Sequence, residues 1–321
     1  MGYKYIGDSN QLTFMFESGT YGTASGARQW IGFVQDHTPD EGINAEPIRF
    51  QGQFSRNVSL FTDGKLEYGG TFTYYPQNWE FLAFAIGSCQ VLTGSKLIRE
   101  TNSNDANYAI PTQSLSSFTL EDAKKTAATG SNFIRTLKGC MIDTYKLTMA
   151  EGEIASVDID YKAQSVVYSS GAITAIGSVT TKPYMWSNIN VQIPSGTKLT
   201  NCTEFSLTIN NNLESRYPLN GSRIIEQLIP LNREYEVAAT FLMDSDNAAD
   251  LYSKYMNGQS FNAMVEIKAE AGSAYIIMSG CRITDMTVPS PVEGLHEQTC
   301  TIQPTTISAN VYDTGSFYNA W

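Results

Sequence analysis

Residues 132–163 read NFIRTLKGCMIDTYKLTMAEGEIASVDIDYKA, and residues 273–307 read SAYIIMSGCRITDMTVPSPVEGLHEQTCTIQPTTI. Both stretches run an apolar strand pattern into a Gly-Cys-x-Ile step, 141 residues apart (139 to 280). After Gly139-Cys140, the residues Tyr145, Leu147 and Met149 share one strand face, and a turn falls at Glu151-Gly152-Glu153. Val157, Ile159 and Tyr161 then alternate with Asp158 and Asp160. Alternation at period two marks a strand with one buried face. A β unit occurring twice in one chain is the expectation that organises the rest.

The flanking segments extend the pattern. Before the first step, Leu66–Tyr75 alternates as a strand after an Asp-Gly hairpin signal at Thr62–Lys65. Asn78–Gly87 reads as one short helix, with Trp79, Leu82, Ala83 and Ile86 at helical spacing and Phe81 and Phe84 on the other side, so burial on nearly all sides is expected. Cys89–Pro111 reads as a surface loop, and Leu115–Leu120 pairs with Asn132–Lys138 in a hairpin. In the second copy, Tyr184–Ile193 echoes Trp30–Val34, Phe205–Ile209 and Glu234–Leu242 are strands, and Asn210–Arg233 is an expanded loop. Asp246-Asn247 followed by Ala248, Leu251, Tyr252 and Tyr255 repeats the capped helix, and Phe261–Lys268 with Ser273–Ser279 repeats the hairpin.

The expected fold is therefore mainly β: two tandem antiparallel β-barrel or β-sandwich units, each flanked by one short α-helix. The expected boundaries are an N-terminal arm at 1–45, a first unit at 46–170, a linker or entry strand at 171–195 and a second unit at 196–321. Within the arm, Gln11–Phe16 reads as a strand, Glu17–Thr23 as Gly-rich turn and Asp36–Pro47 as acidic loop.

The chain of 321 residues carries 21 Lys and Arg against 32 Asp and Glu, a net charge of −11. Without a Lys/Arg-rich run, a grip on nucleic acid through its phosphates is disfavoured. No apolar run reaches membrane-spanning length, and MGYKYIGDSN lacks the basic and apolar regions of a signal peptide. Five widely spaced Cys (89, 140, 202, 281 and 300) read as buried thiols.

Motifs for chemistry are sparse. The two histidines, His37 and His296, stand in polar loop context, and no nucleophile-elbow, zincin or P-loop pattern occurs. Asp158 and Asp160 face one way, which suits a solvated or lumen-facing strand better than an acid/base pair, since Thr299 and Thr301 stand at the matching places of the second copy. Asp244-Ser245-Asp246-Asn247 begins like a calcium loop but lacks its Gly and Glu and fits a helix cap. Asn57, Asn201 and Asn220 lie in glycosylation sequons without a secretory signal. Arg216, Tyr217, Arg223 and Arg233, beside Glu214, Glu226 and Glu234, suit docking onto an acidic neighbour of the same kind. No catalytic residue, metal or cofactor is expected.

Taken in order, these pieces resemble the tail tube proteins of long-tailed, siphovirus-like viruses of bacteria and archaea, in their duplicated form. The residues that carry the resemblance are Glu17–Thr23, the tyrosine-rich strand before the helix, both Gly-Cys-x-Ile steps, and Phe205–Glu214 with Arg233–Glu236. The resemblance implies curved sheets that join in a ring, and rings that stack into a hollow tube for genome passage. Six units per ring would come from a homotrimer with pseudo-sixfold symmetry. It also implies partnership with tape measure, terminator and baseplate proteins, assembly in the host cytoplasm and residence in the virion. Ring stacking would use Arg216, Tyr217, Arg223 and Glu226, and Asp158 and Asp160 would line an acidic lumen past which viral DNA moves without specific binding. The competing expectation is a paired β-sandwich that binds a receptor or carbohydrate.

Overall fold

The computed structural model describes residues 10–17, 20–49, 58, 60–100, 115–125, 132–174, 176, 181–199, 201–243, 248–269, 272–289 and 295–313. Strands β1 (Asn10–Glu17), β2 (Ala24–Trp30), β3 (Phe33–Ile48) and β4 (Leu60–Tyr75) lead into helix α1 (Glu80–Ile86). A hairpin follows, β5 (Ser88–Leu92) and β6 (Ser95–Arg99), and then β7 (Phe118–Lys124), β8 (Phe133–Ala150), β9 (Ser156–Ala163) and β10 (Ser165–Ser169). The C-terminal half holds β11 (Ile189–Gln192), β12 (Cys202–Asn210), β13 (Leu213–Arg216), β14 (Gln227–Pro230) and β15 (Glu234–Leu242). It ends with α2 (Ala248–Met256), β16 (Phe261–Ala269), β17 (Gly272–Thr287), β18 (Glu297–Gln303) and β19 (Thr306–Asp313).

The chain is mainly β, and the strands form connected sheets consistent with a sandwich, not a closed barrel. A central sheet runs β3-β4-β9-β8-β12-β15-β18-β17 through both halves of the chain. A second sheet runs β2-β1-β7-β8-β10, and a third runs β11-β16-β17-β19-β6-β5. One core of alternating strand residues lies beneath them, with Tyr145, Leu147, Val157, Ile159, Phe205, Leu207 and Val237 each almost wholly buried.

Two strands each serve two sheets, and the Gly-Cys steps are where they cross over. In β8, Leu137 faces Leu120 but Cys140 faces Phe118, so an extra residue bulges out at Gly139. In β17, Met278 faces Ala263 while Cys281 faces Phe261. Gly139 and Gly280 hold φ of +63° and +60°, which L side chains rarely adopt. A Cβ on Gly139 would also stand 2.8 Å from the Gln164 Cβ and 2.9 Å from the Tyr21 ring. The bulge re-aims each strand so that its first part pairs in one sheet and its remainder in another.

Register recurs between the halves. Ile142↔Tyr161 and Thr144↔Asp160 in β8/β9 become Ile283↔Ile302 and Asp285↔Thr301 in β17/β18, with the same bulge between them. Val34↔Tyr74 and Asp36↔Thr73 in β3/β4 become Cys202↔Phe241 and Glu204↔Thr240 in β12/β15, again across a bulge. Ala45↔Asp63 likewise matches Leu213↔Pro230.

Several expectations are corrected. Residues 10–45 are no separate arm: they contribute β1, β2 and most of β3, and Phe14 lies fully buried in the core. Asp36–Pro47 is strand, because β4 supplies its backbone partners despite the acidic, proline-bearing sequence. Thr62–Lys65 is not a turn but lies within β4, where the register jumps from Ala45↔Asp63 to Ile43↔Leu66. Gly64 is needed there because a Cβ would fall 2.1 Å from the Asn44 carbonyl oxygen. The extension beyond the central sheet is thus present in both halves, as the β3–β4 ribbon and as β13–β14. Ser88–Arg99 is a hairpin held by β19 of the other half, not a loop. Ile189–Gln192 lies on β16 as Asn10–Thr13 lies on β7, so the pairing of the expected second entry strand resembles that of β1 and not that of Trp30–Val34.

All seven residues of α1 are buried, as its all-round apolar pattern requires, and Asn78 Oδ1 accepts the Glu80 N–H at 3.3 Å. Helix α2 differs: Leu251 is buried while Tyr252 and Met256 are exposed. Asp244–Asn247, the tail residues Phe317, Tyr318 and Trp321, and Asn57 lie outside the described residues.

Candidate assembly interface

The two halves meet along a strand seam. Strands β8 and β12 pair antiparallel from Thr144↔Asn210 to Ala150↔Glu204. Just beyond it, Asn211 is 1% exposed and serves as a polar pin. Its Nδ2 donates to the carbonyls of Ala85, at the end of α1, and Ile142, while its Oδ1 accepts from Arg233 Nε at 2.7 Å. Full satisfaction is what allows an amide to be buried there. The neighbouring Asp143 accepts the Leu213 N–H at 2.7 Å and pairs with Lys162 at 2.9 Å.

From this pin the β13–β14 hairpin folds back over the N-terminal half. Leu213, Ile225 and Leu228 bury against Leu115 and Met141, with Tyr21 and Tyr217 packed at the side. The four residues proposed from sequence for stacking sit on or beside this hairpin, but not equivalently. Tyr217 donates its hydroxyl to the Leu66 carbonyl at 3.0 Å, and Arg223 donates to the Gly64 carbonyl and pairs with Asp63 at 3.1 Å. Both therefore clamp the hairpin onto β4. The Glu226 carbonyl accepts from Gln164. Arg216 is exposed, with Glu214 at 3.4 Å on the same strand.

Asp158 and Asp160 lie on the solvent face of the central sheet. Registers carry that face from strand to strand: Asp36↔Thr73↔Asp158↔Lys146↔Thr208↔Glu236 in one row, and Thr38↔Thr71↔Asp160↔Thr144↔Asn210↔Glu234 in the next. Glu204, Asp285 and Thr287 extend it. These rows are acidic, with Lys146 as an interspersed cation. Asp158 accepts a hydrogen bond from Thr73 at 2.6 Å. Partial burial, then the nearby Asp143, raises the Asp160 carboxyl above its ordinary pKa, with Lys162 opposing.

Glu17, at the end of β1, reaches the first Gly-Cys step. Its carboxylate accepts from Gly22 N at 2.9 Å, Ser117 Oγ at 2.6 Å, Thr119 Oγ1 at 2.6 Å and Gly139 N at 2.8 Å. Tyr21 donates to the Gly139 carbonyl. At the second step one acceptor among the described residues, Asn262 Oδ1, meets the Gly280 N–H at 3.1 Å. Sequence reasoning singled out Glu17–Thr23 without a role, since nothing local reveals a partner 122 residues away.

His37 is built into the fold. His37 stacks on Tyr161, shares a 2.9 Å hydrogen bond with its hydroxyl and lies 3.7 Å from Asp122. Burial lowers its pKa to about 4, with Asp122 opposing. Asp122 also pairs with Arg135. His296 is remote, against the Pro289 carbonyl. Cys140 and Cys281 are buried, each with its Sγ toward the carbonyl three residues earlier, and burial raises both thiols. Among the described residues, no group of three His, Cys, Asp or Glu could hold a metal, and no helix is long and apolar enough to cross a membrane.

No curated protein matches the chain. The family described as phage tail tube protein matches residues 7–311, nearly the whole length. The chain therefore belongs to the phage tail tube protein family and is a structural component of the virion tail.

Proposed function

We propose that this protein assembles with copies of itself into the hollow tail tube through which the viral genome passes, as two tandem units of one design per chain. The observation that carries the reading is the recurrence of strand register, bulges included, in β3-β4-β9-β8 and β12-β15-β18-β17. One chain then acts as two subunits, and three chains form a pseudo-sixfold ring of the siphovirus type. The boundaries of these units fall near 171–195. The acidic face bearing Asp158 and Asp160 lines the lumen, where a surface poor in cations leaves DNA phosphates without counter-charges. Ring-to-ring stacking uses the two extensions, with Arg216 and Glu226 offered to the next ring and Tyr217 and Arg223 holding the hairpin in place. Tape measure, terminator and baseplate proteins meet the tube, and assembly takes place in the host cytoplasm.

Negative-stain microscopy of the purified protein at high concentration tests the proposal. Hollow rods or stacked rings are expected. A monodisperse particle of one or two chains at every concentration would overturn it.

A further inference from the structure

The seam between the two halves also describes how one chain meets the next. Resting on the tube reading, we infer that the β17 edge of one copy pairs with the β3 edge of a second copy, in the register of the in-chain β8–β12 seam. The central sheet has two outer edges, β3 at one end and β17 at the other. Strand β17 is the counterpart of β8, and β3 is the counterpart of β12, by the matched registers above. Transferring the seam residue by residue places Asp285 opposite Gly42, Met286 opposite Glu41 and Thr287 opposite Asp40, as Thr144, Tyr145 and Lys146 lie opposite Asn210, Ile209 and Thr208.

The exposed apolar residues of the β3–β4 ribbon support this. Phe61 is 67% exposed, whereas its counterpart Leu228 is 1% exposed because the N-terminal half covers it. Ile43 is 68% exposed, whereas its counterpart Asn211 is 1% exposed at the end of α1. Ile43 faces Leu66 where the in-chain seam has Asn211 with Arg233, so a polar pin is replaced by an apolar one. The matching surface is the end of α2, where Tyr252 and Met256 are exposed. A second copy presents each half of this seam to the other, and no other occupant need be invoked.

The inter-chain ladder is weaker in backbone bonds than the in-chain one. Pro39 and Pro289 fall within it and lack amide donors. Such edges resist indiscriminate pairing, and the side-chain contacts then select the partner.

Cysteine cross-linking tests the register, in a chain with Cys202→Ser to remove the half-buried thiol. The pair Thr287→Cys with Asp40→Cys is expected to yield about tenfold more inter-chain disulfide than Thr287→Cys with Glu46→Cys, because facing Cβ atoms lie ~5 Å apart and the control is displaced by ~20 Å. The in-chain pair Lys146→Cys with Thr208→Cys reports that the seam chemistry works. Phe61→Asp, at an exposed position, is expected to keep the folded monomer and raise the concentration needed for assembly at least about tenfold. Rods or rings without preferential 287–40 cross-linking would overturn this register and leave the tube reading standing. Dispersed monomers without cross-links would overturn both.

Discussion

Replacing Glu17 by Ala tests whether the carboxylate at the end of β1 holds the first strand crossover. The residue accepts four hydrogen bonds. The Ser117 and Thr119 hydroxyls can rotate toward other acceptors, but the Gly22 and Gly139 amides are fixed. Leaving a buried donor unmet costs about 1–3 kcal/mol, so two amides, one of them partly reachable by water, imply a loss on the order of 2–4 kcal/mol. For a chain of this size that is a fall in Tm of roughly 3–6 °C. Asn262→Ala removes one neutral acceptor at an exposed site and should cost only about 0.5–1 kcal/mol. Urea or thermal denaturation of the monomer, with both variants beside the parent, reads the difference. Equal losses for Glu17→Ala and Asn262→Ala, or a Glu17→Ala loss under about 1 kcal/mol, would refute the reasoning.

Three further outcomes are expected. Gly139→Ala combines a left-handed φ with a clash against Gln164 and Tyr21, so it should cost about 2–4 kcal/mol by denaturation, whereas Gly258→Ala, with positive φ but open space, should cost about 1 kcal/mol. His37 has its pKa lowered to about 4 in the fold, so the unfolded chain takes up a proton first as pH falls. Stability is then complete above pH ~6.5 and declines toward pH ~4, and a stability–pH profile for His37→Gln should be flatter across that window. Replacing Asp158 and Asp160 by Lys should leave assembly intact, since both face solvent, yet make assembled tubes retain double-stranded DNA in a salt-sensitive way in a filter-binding assay.

Strand faces were readable from the residues alone wherever alternation is clean. Tyr145, Leu147 and Met149, and Val157, Ile159 and Tyr161, point inward as their spacing says, and α1 is buried because it is apolar all round. The ribbon was not readable. Asp36–Pro47 is polar on both faces and carries two prolines, so nothing local distinguishes strand from loop, and pairing with β4 settles it. Asp63-Gly64 is a turn signal by local chemistry, but Gly serves a bulge equally well, and the opposing Asn44 backbone decides between them. Ser88–Arg99 is a hairpin because an edge of β19 from the far end of the chain accepts it.

The candidate surfaces divide along the same line. Period-two spacing put Asp158 and Asp160 on one face of one strand, but only cross-strand register joins them to Asp36, Glu204 and Glu236 in a single acidic surface. The arginines of the β13–β14 segment were visible as a cluster, yet which of them clamps the fold and which faces solvent depends on where β4 passes. Local spacing reports the faces of each element, because side-chain direction repeats with the backbone. Partners many residues away are chosen by hydrogen bonds and burial that form only when the whole sheet closes on its core. The two Gly-Cys steps show both sides of this: the residues announce a strand step of the same kind at two places, and the bulge that carries each strand between sheets exists only against Phe118 and Phe261.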